Sequence, residues 1–197
     1  MYSTYYTNLF WGFMLVLINL RIGGVSILPD FVGFILIYYA LDKLALQHPC
    51  YGKAKPFAFM LFFLALPNIY EGPTQNLLYN PLTSQSLLLL LLGQIYVVMQ
   101  IVMIYYICRA ITALAKERAL TELLQYNRSV WRFYLVVSGL SLLVTPFMLS
   151  VLTGRIGIFI ALIVLMFISF MFVIHLIYRA GKELGSNTEE CGEIPGW

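Results

Sequence analysis

Apolar residues in this chain come in long blocks, and short polar segments separate them. Leu9–Leu20 is the first block, and Ile27–Leu46 is the second, closing on Asp42-Lys43. The third runs through F-A-F-M-L-F-F-L-A-L toward Tyr70, and the fourth carries six consecutive leucines, Leu87–Leu92. The last two are separated by the short Thr153-Gly154-Arg155 turn. A membrane helix needs about 20 mainly apolar residues. The pattern therefore predicts an all-α, polytopic membrane protein with six transmembrane helices, at about 8–22, 27–46, 54–70, 85–108, 131–152 and 156–178. Residues 181–197 are then a flexible polar tail.

Local chemistry marks the predicted helix ends. Gly23 and Gly24 provide the backbone freedom for a tight reversal. Ser26 is a candidate N-cap, Pro29 suits a first helical turn, and Asp30 would sit at the positive end of the helix dipole. Pro56 is placed to start the third helix. Between the fourth and fifth helices, 109–132 is the most charged piece of the chain. Its Ala and Leu content favours helix, as a connector on the headgroups or as an extension of the fourth helix.

Composition supports the membrane reading. The chain of 197 residues is 61% hydrophobic and only 11% charged, against about a quarter charged in a typical soluble domain. Of its 12 Lys and Arg residues, Arg21 and Arg155 alone fall on one side of the six spans. By the positive-inside rule the other side is cytoplasmic, with both termini on it, and the protein belongs in a cell membrane. The net charge of +3 then reflects topology rather than nucleic-acid binding. Met1–Asn8 has no Lys or Arg and no small-residue cleavage site follows, so a cleaved signal peptide is not expected. Cys50, Cys108 and Cys191 are scattered and odd in number, which suggests neither a disulfide framework nor a zinc site.

The second, fourth and sixth helices end alike, as I-Y-Y-A-L-D-K, I-Y-Y-I-C-R and L-I-Y-R-A-G-K. Three helical hairpins repeated in parallel would produce this, and so would the general gathering of Tyr and basic residues at membrane interfaces.

Polar groups within membrane segments are the natural functional candidates. Here they are Asn19, Arg21, Asp30, Gln94, Gln100 and His175. Arg21 and Asp30 flank the first outer turn, where they could line an outward-facing pocket with Glu71 and Arg155 or simply clip and cap the hairpin. Gln94 and Gln100 lie about 240° apart around a helix and so occupy different faces. Arg118, Arg128 and Arg132 form a candidate cytoplasmic surface for a protein partner. The spans hold no central Asp or Glu, and P-loop, H-E-x-x-H and G-x-S-x-G motifs are missing. No catalytic, cofactor-binding or metal residue is assigned, and an enzyme is not expected.

The stretch I-L-P-D-F-V-G-F-I-L-I at Ile27–Ile37 resembles a pattern that recurs in small, uncharacterised multi-pass membrane proteins of bacteria. That resemblance covers the first hairpin and implies a bacterial cytoplasmic membrane, with no activity attached. In size and span count the chain is also similar to the substrate-binding subunits of energy-coupling-factor vitamin transporters. Their A-x-x-x-A motif has no counterpart in Leu9–Leu20, which contains no Ala. The expected role is a non-catalytic accessory or sensory membrane component. The alternative is a small transporter or solute-binding subunit with its pocket near Arg21 and Asp30.

Overall fold

A computed structural model describes residues 2–17, 21–22, 25–26, 30–65, 84–148 and 156–185. Among these residues it is all-helical apart from one minimal hairpin. The elements in order are α1 (Tyr2–Leu17), β1 (Arg21–Ile22), β2 (Val25–Ser26), α2 (Asp30–Leu44), α3 (Pro49–Ala65), α4 (Ser84–Glu117), α5 (Thr121–Met148) and α6 (Ile156–Gly185). Two stretches, Leu91–Glu117 and Ile160–Gly185, are long and apolar enough to cross a membrane by length and composition.

The six helices form a ring in chain order. Each packs on the next, α6 closes on α1, and α4 also touches α6. Neighbouring helices run antiparallel, so one end of the ring gathers the start of α1, the α2–α3 turn, the α4–α5 turn and the end of α6. Contacts around that end fix the register: Tyr6 bonds Gln47 and Tyr51, Asp42 pairs with Lys55, and Arg118 reaches the Leu184 carbonyl.

Helix boundaries depart from the sequence reading wherever tertiary packing decides them. The first helix was expected over 8–22. It instead starts at Tyr2, because Tyr6 is buried against α6, and Arg21–Ile22 is strand rather than helix. Ser26, the candidate N-cap, pairs with Arg21 as a strand residue, as Val25 does with Ile22, and the helix start expected at Ile27 lies outside the described residues. Asp30 is the first residue of α2, and Pro29 lies outside the described residues.

The third helix starts at Pro49 rather than near Pro56, which is interior to it. His48 caps it: the Cys50 backbone N–H donates to His48 Nδ1 at 3.2 Å. Pro49 then occupies the first helical position, where its missing N–H has no cost. The fourth helix runs on to Glu117 and the fifth starts at Thr121, so most of the charged connector is helical.

That connector turns at Ala119, the one non-glycine residue with positive φ among those described, at 55°. Leu120 N–H bonds the Ala115 carbonyl at 2.9 Å and Ala119 N–H bonds that of Lys116 at 3.2 Å. This is a Schellman ending with alanine in the left-handed position that usually holds glycine. The sixth helix runs to Gly185, so residues 181–185 of the expected tail are helical, while 186–197 lie outside the described residues.

Glycines set the closest approaches. A Cβ on Gly33 would lie 2.8 Å from the Gly12 carbonyl oxygen, and one on Gly12 would lie 3.0 Å from that of Gly33. Backbone therefore meets backbone where α1 crosses α2. On α6, a Cβ at Gly181 would stand 2.7 Å from Tyr6 Cβ, and one at Gly185 would stand 2.9 Å from Ser3 Cα. Gly93 and Gly139 have open space instead.

Gly33→Ala should therefore lower stability by about 1–3 kcal/mol, the usual cost of forcing atoms into a packed interface. Gly93→Ala should leave it unchanged or raise it by up to about 1 kcal/mol. Unfolding in detergent, followed by circular dichroism, separates the two; equal effects would rule out the α1–α2 contact. Ala119→Gly should raise stability by about 1 kcal/mol in the same assay, because it relieves a left-handed alanine.

Candidate functional site at the gathered end of the ring

Among the described residues, polar chemistry is concentrated at the end where the turns meet. A cleft of about 800 Å³ lies between the α4–α5 turn and the last turns of α6. At its centre Arg179 joins two carboxylates, with Nε 2.5 Å from Glu183 and an η nitrogen 3.0 Å from Glu122. One turn back on α6, His175 Nδ1 and the Tyr126 hydroxyl share a hydrogen bond of 2.9 Å. The Arg179 guanidinium also lies 5.7 Å from the centre of the Tyr126 ring. Partial burial raises the Tyr126 phenol above its ordinary pKa, and the positive charge of Arg179 opposes that rise. Glu122 is 86% exposed, so its ion pair adds little stability and serves mainly to align α5 with α6.

A second, buried network runs inward from this end. Tyr6 donates to Gln47 Oε1 at 3.1 Å, and its hydroxyl lies 3.0 Å from that of Tyr51. On the α4–α5 face, Asn127 Nδ2 donates to the Cys108 carbonyl at 2.8 Å and to Thr112 Oγ1 at 2.7 Å. Among the described residues, the buried atoms Asn127 Oδ1, Tyr134 OH, Ser169 Oγ and Gln47 Nε2 find no hydrogen-bond partner. Lys, Arg, Asp and Glu are all outside the buried set of described residues. The interior therefore holds neutral polar groups in an otherwise apolar core.

The residues singled out from sequence are dispersed. Asn19, Glu71 and Arg155 lie outside the described residues, and for Arg21 and Asp30 the backbone alone is described. Gln100 is 7% exposed and faces the core, while Gln94 is half-buried, as their different faces require. His175 is on the cleft wall and hydrogen-bonds Tyr126.

Of the three arginines, Arg118 stands apart: its guanidinium donates to the Leu184 carbonyl at 2.8 Å and so closes the end of α6. Arg128 and Arg132 are exposed, one turn apart on α5. Glu122, Tyr126, Asn127 and Arg179 were not found from sequence. The partners of Arg179 and Asn127 on other helices are 57 and 19 residues away, beyond any local pattern.

Among the described residues, no group of three or more His, Cys, Asp or Glu side chains could hold a metal ion. Cys50 and Cys108 are free thiols, and Cys191 lies outside the described residues. Comparison with protein families, with curated proteins and with solved structures finds no match.

Asn127→Ala should cost about 1–2 kcal/mol, since it removes two buried hydrogen bonds between α4 and α5. Glu122→Gln should cost well under 1 kcal/mol, because its ion pair is exposed. Detergent unfolding of both variants orders them; a larger loss for Glu122→Gln would contradict this ranking.

Proposed function

We propose that this chain is a six-span protein of a bacterial cytoplasmic membrane, built as three hairpins in one orientation. Its gathered end faces the cytoplasm, and it serves as a non-catalytic accessory or sensory component that engages a protein partner there. The observation that carries this reading is the outward face of the ring. Every helix turns large apolar side chains outward, among them Trp11, Ile35, Phe63, Ile95, Val136 and Phe167. A belt of that kind around a whole ring is costly in water and natural in hydrocarbon.

Charge placement supports the orientation. Lys43, Lys53, Lys55, Arg109, Lys116, Arg118, Arg128, Arg132, Arg179 and Lys182 all lie on the segments that meet at the gathered end. Such an excess of Lys and Arg marks the cytoplasmic side. Arg128 and Arg132 point away from the ring and form no ion pair with a described residue, unlike Arg179. They give the partner surface its charge, and an acidic protein face is its complement.

Single cysteines in a chain freed of its three native ones test the topology. Lys53→Cys and Arg128→Cys should react with an impermeant maleimide from the cytoplasmic side alone, and Arg21→Cys from the opposite side alone. Labelling of all three from one side, or release of the chain by alkaline carbonate, would overturn the membrane assignment. For the partner, Arg128→Glu combined with Arg132→Glu should reduce crosslinked complex by at least tenfold, while Lys53→Glu leaves it intact. Equal losses would overturn the assignment to α5.

A further inference from the structure

α4 and α5 run side by side into the gathered end, and a few contacts fix their relative height. The Tyr105 and Trp131 ring centroids lie 5.4 Å apart. One turn nearer the end, Asn127 bonds the Cys108 carbonyl and the Thr112 hydroxyl. Because the two helices are antiparallel, this register sets Arg109 of α4 level with Arg128 of α5. Arg109 follows Tyr105 by one turn and Arg128 precedes Trp131 by one turn, so each arginine shares the face of its aromatic neighbour. Two exposed arginines thus stand above two rings along one seam.

No described carboxylate balances this pair. Asp42 is held by Lys55, and Glu122 and Glu183 are held by Arg179. Glu117 is two turns beyond Arg109, about 12 Å along the axis, and Glu122 is about 240° around α5 from Arg128, on the side that meets α6. Arg109 does make one contact, and it is to a neutral oxygen: an η nitrogen donates to the Tyr105 hydroxyl at 3.4 Å. That bond uses one of several guanidinium N–H donors and leaves the charge uncompensated.

The seam also marks where the outer surface of the ring changes. Away from the gathered end, α4 exposes Ile95, Val98 and Tyr105, and α5 exposes Leu135 and Val136. Toward it, α4 exposes Lys116 and Glu117, and α5 exposes Glu122 and Gln125. On the membrane assignment proposed above, this border lies at the headgroups.

We infer that the α4–α5 seam binds one anionic phospholipid of the cytoplasmic leaflet, its phosphate between Arg109 and Arg128 and its glycerol and upper acyl chain against Tyr105 and Trp131. Guanidinium groups match phosphate oxygens with paired, charge-assisted hydrogen bonds. Basic groups between helices on the cytoplasmic side are the setting in which anionic headgroups are bound selectively. Tyr and Trp rings suit the partly polar, partly apolar glycerol region. The inference rests on the membrane assignment, and it goes beyond the partner reading, with which it shares Arg128; the experiment therefore turns on Arg109.

The full chain is placed in nanodiscs of phosphatidylcholine doped with phosphatidylglycerol, and lipid retained after release into detergent is counted by native mass spectrometry. The wild type should keep one phosphatidylglycerol in preference to phosphatidylcholine. Arg109→Gln and Arg128→Gln should each reduce that preference about fivefold, the attraction of one basic side chain for an anionic surface. Lys53→Gln, which removes an exposed lysine on α3, should not. Arg109→Lys keeps the charge and should keep most of the preference. A loss there as large as in Arg109→Gln would mean that the guanidinium packs the seam rather than binding an anion, and would sink the inference.

Equal retention of the two lipids by the wild type, or equal losses in Arg109→Gln and Lys53→Gln, would overturn it. Displacement of the lipid by inorganic phosphate would make the seam a site for the free ion and would overturn it too. Arg109→Gln should leave the crosslinked partner complex intact; a matching loss of complex would place Arg109 in a protein interface instead of a lipid site. Release of the chain from membranes by alkaline carbonate would be a different failure, that of the membrane assignment itself.

Discussion

α1 meets both of its neighbours with no room left for a side chain between them. Gly12 and Gly33 bring the α1 and α2 backbones into contact, and Gly181 and Gly185 of α6 lie against Tyr6 and Ser3 on another face of the same helix. In a bilayer, lipid is as apolar as leucine, so helices gain little by hiding apolar surface from it. Association then depends on close packing and interhelical hydrogen bonds. Glycine contacts of this kind lie on both faces of α1, one toward α2 and one toward α6, where the ring closes. The α6 glycines set Tyr6 where its hydroxyl meets Gln47 and Tyr51 at the gathered end.

The interior follows from the same constraint. With no buried charge among the described residues, the core is tied by neutral groups: Asn127 to α4, Tyr6 to Gln47 and Tyr51. Charges are held at the collar, where Arg179 bridges Glu122 and Glu183 and Arg118 closes α6. A charge moved inward would meet a medium that penalises it by several kcal/mol. Among the described residues, neutral groups are thus kept in the core and charges in the collar at the gathered end.

Much of this fold was legible in the sequence. Long apolar blocks located the six helices. The starts of α4 and α6 fall within a residue of the reading, but the start of α1 and of α3 and the ends of α1 and α4 do not, because contacts elsewhere in the chain set them. Tyr6 draws the start of α1 into the core through bonds 41 and 45 residues away, and polar-tipped tyrosine gives no such signal locally. The minimal hairpin at Arg21–Ser26 depends on strand pairing that two residues on each side cannot announce. The candidate site was less legible still: His175 was named, but its Tyr126 partner and Glu122, one of the two carboxylates of Arg179, come from α5.

α4 spans 34 residues without a break, about 51 Å at the usual rise, against a hydrocarbon thickness of about 30 Å. On the membrane assignment some 20 Å of this one rod stands in water, and its last two turns carry the collar. α6 behaves alike over 30 residues. No hinge separates the wet part from the embedded part of either rod, so a push on the collar is transmitted as tilt. On that assignment, a change in bilayer thickness loads the same lever from its embedded end.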